Sequence, residues 1–105
     1  MNDTSKLIAQ YFTLATQADS DPYFAQFTPD ATVEDEGQEH HGVAAIRAWR
    51  TQVPRVTYAV TSVEPAEAGT LARADISGDF PGSPVTLSFL LTFTDDGHIS
   101  ALAIR

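Results

Sequence analysis

The hydrophobic period of this chain changes once, near Arg55, and that change constrains the fold more than any other feature. Before it, apolar residues recur at three- and four-residue spacing, as on one face of a helix; after it they alternate, as in half-buried strands. Leu7, Ile8, Tyr11, Phe12, Ala15 and Ala18 form one stripe, which predicts a helix over residues 4–19 capped by Asp3 or Thr4. Asp21 is a good N-cap and Pro22 suits a first helical position, so a short helix is expected over about 22–27, ended by Thr28-Pro29-Asp30. Ala31 to Asp35 reads as a strand and Glu36-Gly37-Gln38-Glu39 as a polar turn. Gly42 permits the start of a third helix over 43–52, with Val43, Ile46, Trp49 and Val53 on or near one face and Pro54 as its stop.

Beyond Arg55, the breakers Pro65–Gly69, Pro81–Pro84 and Asp95-Asp96-Gly97 leave four strands, roughly 56–64, 70–80, 85–94 and 98–105. Links this short join antiparallel neighbours. A four-stranded meander has one face that must be covered, and the preceding helices are the only available cover. Helices and strands segregated along the chain define an α+β class. With 105 residues, a single domain over 1–105 is expected.

Composition removes several functions. No cysteine is present, which excludes disulfides, thiolate metal sites and cysteine nucleophiles. Net charge is −8, with six basic residues scattered among fourteen acidic ones. A phosphate-binding surface needs clustered Lys and Arg, so neither nucleic acid nor an anionic membrane is an expected partner. The start, MNDTSKLIAQ, lacks the basic and apolar regions of a signal peptide, and a cytoplasmic location is expected. No P-loop, dinucleotide fingerprint or nucleophile elbow occurs, so no cofactor is implied.

The run Phe27-Thr28-Pro29-Asp30-Ala31-Thr32-Val33-Glu34-Asp35, then His41-Gly42-Val43-Ala44-Ala45-Ile46-Arg47-Ala48-Trp49, resembles the nuclear transport factor 2-like superfamily. That superfamily includes SnoaL-like polyketide cyclases and ketosteroid isomerases. Tyr11-Phe12 and the Asp19-Ser20-Asp21 break extend the resemblance toward the N-terminus, and the meander matches in pattern. It implies a cone-shaped, strongly curved antiparallel sheet wrapped around three N-terminal helices, a cystatin-like roll enclosing a pocket for a small apolar molecule. It also implies a homodimer through the outer sheet face, here Ser88, Leu90, Thr92, Ser100, Leu102 and Ile104. Function does not follow from such a fold alone.

Asp35 is the first candidate catalytic residue. Strand alternation puts it on the side of Val33, with Thr32 and Glu34 outward. A carboxylate in an apolar pocket suits a general base, and the resemblance matches it to the aspartate that removes a proton next to a carbonyl. The adjacent Glu-Gly turn favours the plainer reading, a solvated turn residue. Tyr11 matches the tyrosine that donates to the enolate oxygen; alternatively it is a core tyrosine bonded locally. Ketosteroid isomerases use a protonated aspartate as a second oxyanion donor. It has no counterpart in this chain, because the matching residue is Phe89.

Trp49, Phe89, Phe12, Ala74 and Ile76 are candidate substrate-binding residues, and His41 a candidate at the pocket mouth. Alternation puts Ala74 and Ile76 inward and Arg73 and Asp75 outward, so the inward Asp-Arg-Asp set of the epoxide hydrolase branch has no match. His40, His41 and their acidic neighbours lack the spacing of a known metal site, and no metal is expected. Two functions remain: a cofactor-independent isomerase or cyclase, and a non-catalytic binding or association domain.

Overall fold

The computed structural model describes residues 3–53, 55–67 and 69–105, with Asp3 described by its backbone alone. The cap considered for Asp3 and the helix stop at Pro54 lie outside the described residues. Helix α1 spans Asp3–Ala15, α2 Asp21–Ala25 and α3 Val43–Arg50. The strands are β1 Phe27–Asp35, β2 Gln38–His41, β3 Val56–Ala66, β4 Gly69–Gly78, β5 Val85–Phe93 and β6 Ile99–Ile104. They form one curved, unclosed sheet in the order β2-β1-β6-β5-β4-β3, antiparallel except where β1 runs parallel to β6. Among the described residues, no helix is long and apolar enough to cross a membrane.

Several boundaries differ from the sequence expectation, each for a local reason. Helix α1 stops at Ala15, not residue 19, so Ala18 leaves the stripe. Both the backbone N–H and the hydroxyl of Thr16 donate to the Thr13 carbonyl, at 3.2 and 2.9 Å, tightening and ending the last turn. In α2, Asp21 is the first helical residue and Ser20 the cap. Strand β1 begins at Phe27 and runs through Pro29. The β1–β6 register shifts between Phe27 and Thr32, and a proline is tolerated within such an irregularity. Similarly β3 continues past Pro65, because β3 is an edge strand.

The polar segment after Asp35 is a tight hairpin rather than a long turn. Glu36 and Gly37 both take positive φ, 54° and 78°, the pattern of a two-residue type I′ connection. Pairing then resumes with Asp35 opposite Gln38 and Val33 opposite His40, which creates β2. At the β3–β4 hairpin, a Cβ on Gly69 would come within 2.3 Å of the Leu91 carbonyl oxygen, so only glycine fits.

The helices cover the inner sheet face. Ile8, Tyr11 and Phe12 from α1 and Ile46 and Trp49 from α3 meet Val33, Ala72, Ala74, Phe89 and Leu91 from the strands, all buried. Each large apolar side chain removed from water contributes about 1.5–3 kcal/mol before the entropy of ordering is subtracted. The outer-face expectation for β6 is corrected: Leu102 and Ile104 are 1% and 9% exposed and belong to the core. The register pairs Leu91 with Leu102 and Phe89 with Ile104, so Ala101 and Ala103 share the outward side with Leu90 and Thr92.

Candidate active site

The sheet and helices line an open cavity of about 540 Å³, within the range of small-molecule sites. One wall is apolar, from Val56, Ile76, Val85, Leu87, Phe89 and Ile104. Aromatic side chains Tyr11, Trp49, Tyr58 and Phe80 narrow it, and Asp35, Glu36, Gln38, His40, Arg50 and Gln52 supply its polar groups.

Asp35 sits at the last position of β1 and lines this cavity. Trp49 Nε1 donates to its Oδ2 at 3.0 Å. The donor comes from the buried face of α3, and the acceptor from the strand on which that helix packs. One carboxylate oxygen is therefore held by a rigid indole, and among the described residues no second side chain donates to this carboxylate.

Tyr11 is 1% exposed and its hydroxyl lies 3.0 Å from that of Tyr23. Burial pushes the Tyr11 phenol well above its ordinary value near 10. Burial likewise pushes Tyr23 up to about 12, against the opposing effect of the Arg50 guanidinium. Both are neutral hydroxyls near neutral pH, able to donate. Only Tyr11 of the two lines the cavity, so a chain from Tyr23 through Tyr11 into the pocket is available.

The other expected substrate-binding residues separate into wall and support. Trp49, Phe89 and Ile76 line the cavity. Phe12 and Ala74 stand behind it: the Phe12 ring packs edge-on to Phe89 at 5.1 Å, and Ala74 is fully buried in β4. The pocket histidine is His40 rather than His41. Because Val33 faces inward, its register partner His40 does too, with its ring 6.0 Å from that of Trp49. His41 pairs with outward Thr32, and the two side chains hydrogen-bond at 3.0 Å on the exposed face. Arg73 and Asp75 bond outside the pocket, to Glu64 at 3.7 Å and Thr86 at 2.6 Å. Among the described residues, no three His, Asp or Glu side chains converge as metal ligands would.

Sequence reasoning missed His40, Tyr58 and Arg50. Tyr58 was accessible through alternation, since it lies two residues from Val56 on the cavity side of β3. Arg50 was accessible through helical period, because it lies four residues after buried Ile46 and next to Trp49.

The chain matches the model of the SnoaL-like domain over residues 8–102. It belongs to that family. Comparison with curated proteins yields no match. Among solved structures, this SnoaL-like chain is similar to a protein from Sinorhizobium meliloti provisionally described as a polyketide cyclase. They share 37% identity over 95% of this chain and 94% of the other, with a TM-score of 0.86. A protein from Catenulispora acidiphila with a ketosteroid isomerase-like fold, solved with trimethylamine, superposes with a TM-score of 0.78 at 19% identity, over 97% of this chain and 85% of the other. SalBIII, an epoxide hydrolase/cyclase-like enzyme of pyran ring formation in the polyether salinomycin, gives 0.74 at 19% identity, over 97% and 88%. The last two likenesses show the SnoaL-like fold alone, which is also the nuclear transport factor 2-like fold.

Proposed function

We propose that this chain is a cofactor-independent enzyme of the polyketide cyclase or ketosteroid isomerase type, abstracting a proton next to a carbonyl. The observation that carries the reading is the Asp35 carboxylate, oriented by Trp49 Nε1 at 3.0 Å on the wall of a largely apolar cavity. Asp35 takes the proton and becomes a carboxylic acid. The electrons of the C–H bond move into the carbonyl, giving an enolate, and the neutral Tyr11 hydroxyl donates a hydrogen bond to the enolate oxygen. In an isomerisation, Asp35 returns the proton at a different carbon. In a cyclisation, the enolate carbon attacks a second carbonyl and the resulting alkoxide takes the proton from Asp35. Similarity to the Sinorhizobium meliloti protein supports the cyclase form.

The test is hydrogen–deuterium exchange at the carbon next to the carbonyl of cyclic ketones in heavy water, followed by NMR. Exchange above background with the wild type, lost in Asp35→Asn with the fold intact, is the expected result. Equal exchange by wild type and Asp35→Asn would remove Asp35 as the base. A second reading, a non-catalytic ligand-binding domain, draws on Phe89, which leaves the oxyanion site without a second acidic donor. Tight binding of cyclic ketones without any exchange is its signature.

A further inference from the structure

Arg50, in the last turn of α3, is a half-buried cation that lines the cavity. Among the described residues, no carboxylate approaches it within ion-pair distance. The other basic residues are differently placed. Arg47, Arg73 and Arg105 pair with Asp21, Glu64 and Glu34 at 3.8, 3.7 and 3.2 Å. Lys6 and Arg55 are exposed to water.

What surrounds Arg50 is largely uncharged. Its Nη2 donates to the Ala15 carbonyl at 2.8 Å, at the end of α1. Its guanidinium stacks over the Tyr23 ring at 4.4 Å and lies 5.9 Å from the Trp49 ring. A guanidinium carries five donors and cannot shed its proton, so withdrawing it from water without an anion is costly. Trp49 is in contact with both opposite charges of the site. Its indole N–H holds Asp35, and its ring neighbours Arg50. The cavity lining therefore carries both signs of charge, Asp35 and Glu36 against Arg50, with no ion pair joining them among the described residues.

We propose that the ligand is an anion: a cyclic, largely apolar compound bearing a carboxylate or an equivalent acidic group that docks on Arg50. This rests on the enzymatic reading above and names its substrate class. The polarity also orients the ligand, because Asp35 and Glu36 repel the acidic group and leave the neutral, proton-bearing carbon to Asp35. The guanidinium fork matches a carboxylate in a way that an ammonium does not.

The probes are 2-naphthoate, its neutral amide and 2-naphthylmethylammonium, titrated calorimetrically into the intact wild type, Arg50→Gln and Arg50→Lys. Wild type is expected to bind the carboxylate at least about tenfold tighter than the amide, a difference of about 1.4 kcal/mol. Arg50→Gln brings that ratio near one, and Arg50→Lys keeps part of it. Should Arg50→Gln fail to fold, because it loses the bond to α1, the wild type still decides. Raising sodium chloride from about 20 to about 500 mM weakens carboxylate binding and leaves amide binding nearly unchanged. Equal affinity for carboxylate and amide, or tightest binding of the ammonium, overturns the proposal and leaves Arg50 as a clamp between helices. Exchange of neutral ketones without anion preference defeats this inference alone; anion preference without exchange defeats the enzymatic reading alone.

Discussion

Trp49 donates its indole N–H to Oδ2 of Asp35 at 3.0 Å, tying the buried face of α3 to the end of β1. A hydrogen bond to a charged group is worth about 1.5–3 kcal/mol. Trp49→Phe keeps most of the ring and removes the donor. The expected outcome is a tenfold or greater fall in the exchange rate of a ketone substrate with secondary structure retained, a tenfold change being about 1.4 kcal/mol. Circular dichroism and the exchange assay together check it; an unchanged rate would show that Asp35 does not need this partner.

Removing the Tyr11 hydroxyl separates fold from site. Tyr11→Phe strands the buried Tyr23 hydroxyl, at a cost of about 1–3 kcal/mol in stability. It should also weaken a rigid phenol that mimics a dienolate by about tenfold or more, roughly 1.4 kcal/mol. Adding Tyr23→Phe should restore much of the stability without restoring binding. Denaturant titration and calorimetry read the two effects; full binding by Tyr11→Phe would exclude it as a pocket donor.

Alkaline pH should unfold this protein through the same pair. Burial raises the phenol of Tyr23 from near 10 to about 12, and that of Tyr11 well above 10. The folded state therefore binds these protons more tightly than the unfolded chain. Their stabilisation is fully present below about pH 10 and is lost as pH rises toward 12 and beyond. The ultraviolet absorbance of tyrosinate should rise together with loss of the circular dichroism signal. Ionisation of all three tyrosines in a fully folded protein would contradict the buried placement.

The two adjacent histidines provide a test of strand register. His40 packs on Trp49 beside the cavity, whereas His41 bonds to Thr32 on the outer face. An aromatic pair of this kind contributes about 0.5–1.5 kcal/mol. His40→Ala should change the affinity of a pocket ligand several-fold, and His41→Ala should leave it unchanged. Trp49, the single tryptophan, serves as the fluorescent reporter. The reverse ranking would mean that β2 is paired one residue out of register.

Much of the architecture is legible in the sequence, because period and punctuation are local signals. The change of period near Arg55 separates the helices from the four strands of the meander, and alternation puts Asp35, Ala74 and Ile76 on the inner side. What local signals cannot supply is pairing between distant segments. Nothing near Gln38–His41 identifies a strand until Asp35 finds Gln38 across a two-residue turn, so the sequence alone points to His41 where the fold puts His40 on the cavity lining. Counting along β6 in isolation likewise turns Leu102 and Ile104 outward, because the irregularity opposite Phe93 that resets the strand is a property of the pair of strands. The indole–carboxylate bond is hidden for the same reason, since it depends on how a helix lies across a strand.

The parallel pairing of β1 with β6 places Asp35 opposite Ile104 in the register. The proposed base thus belongs to a strand whose inner neighbour follows it in the chain only after β2, α3, β3, β4 and β5. While the chain emerges from the ribosome, β1 can form its hairpin with β2 but has no partner on its other edge. Such non-local closure is slow and leaves an unpaired edge exposed in the meantime. Until residues 99–104 dock, the carboxylate of Asp35 stands beside an open sheet edge.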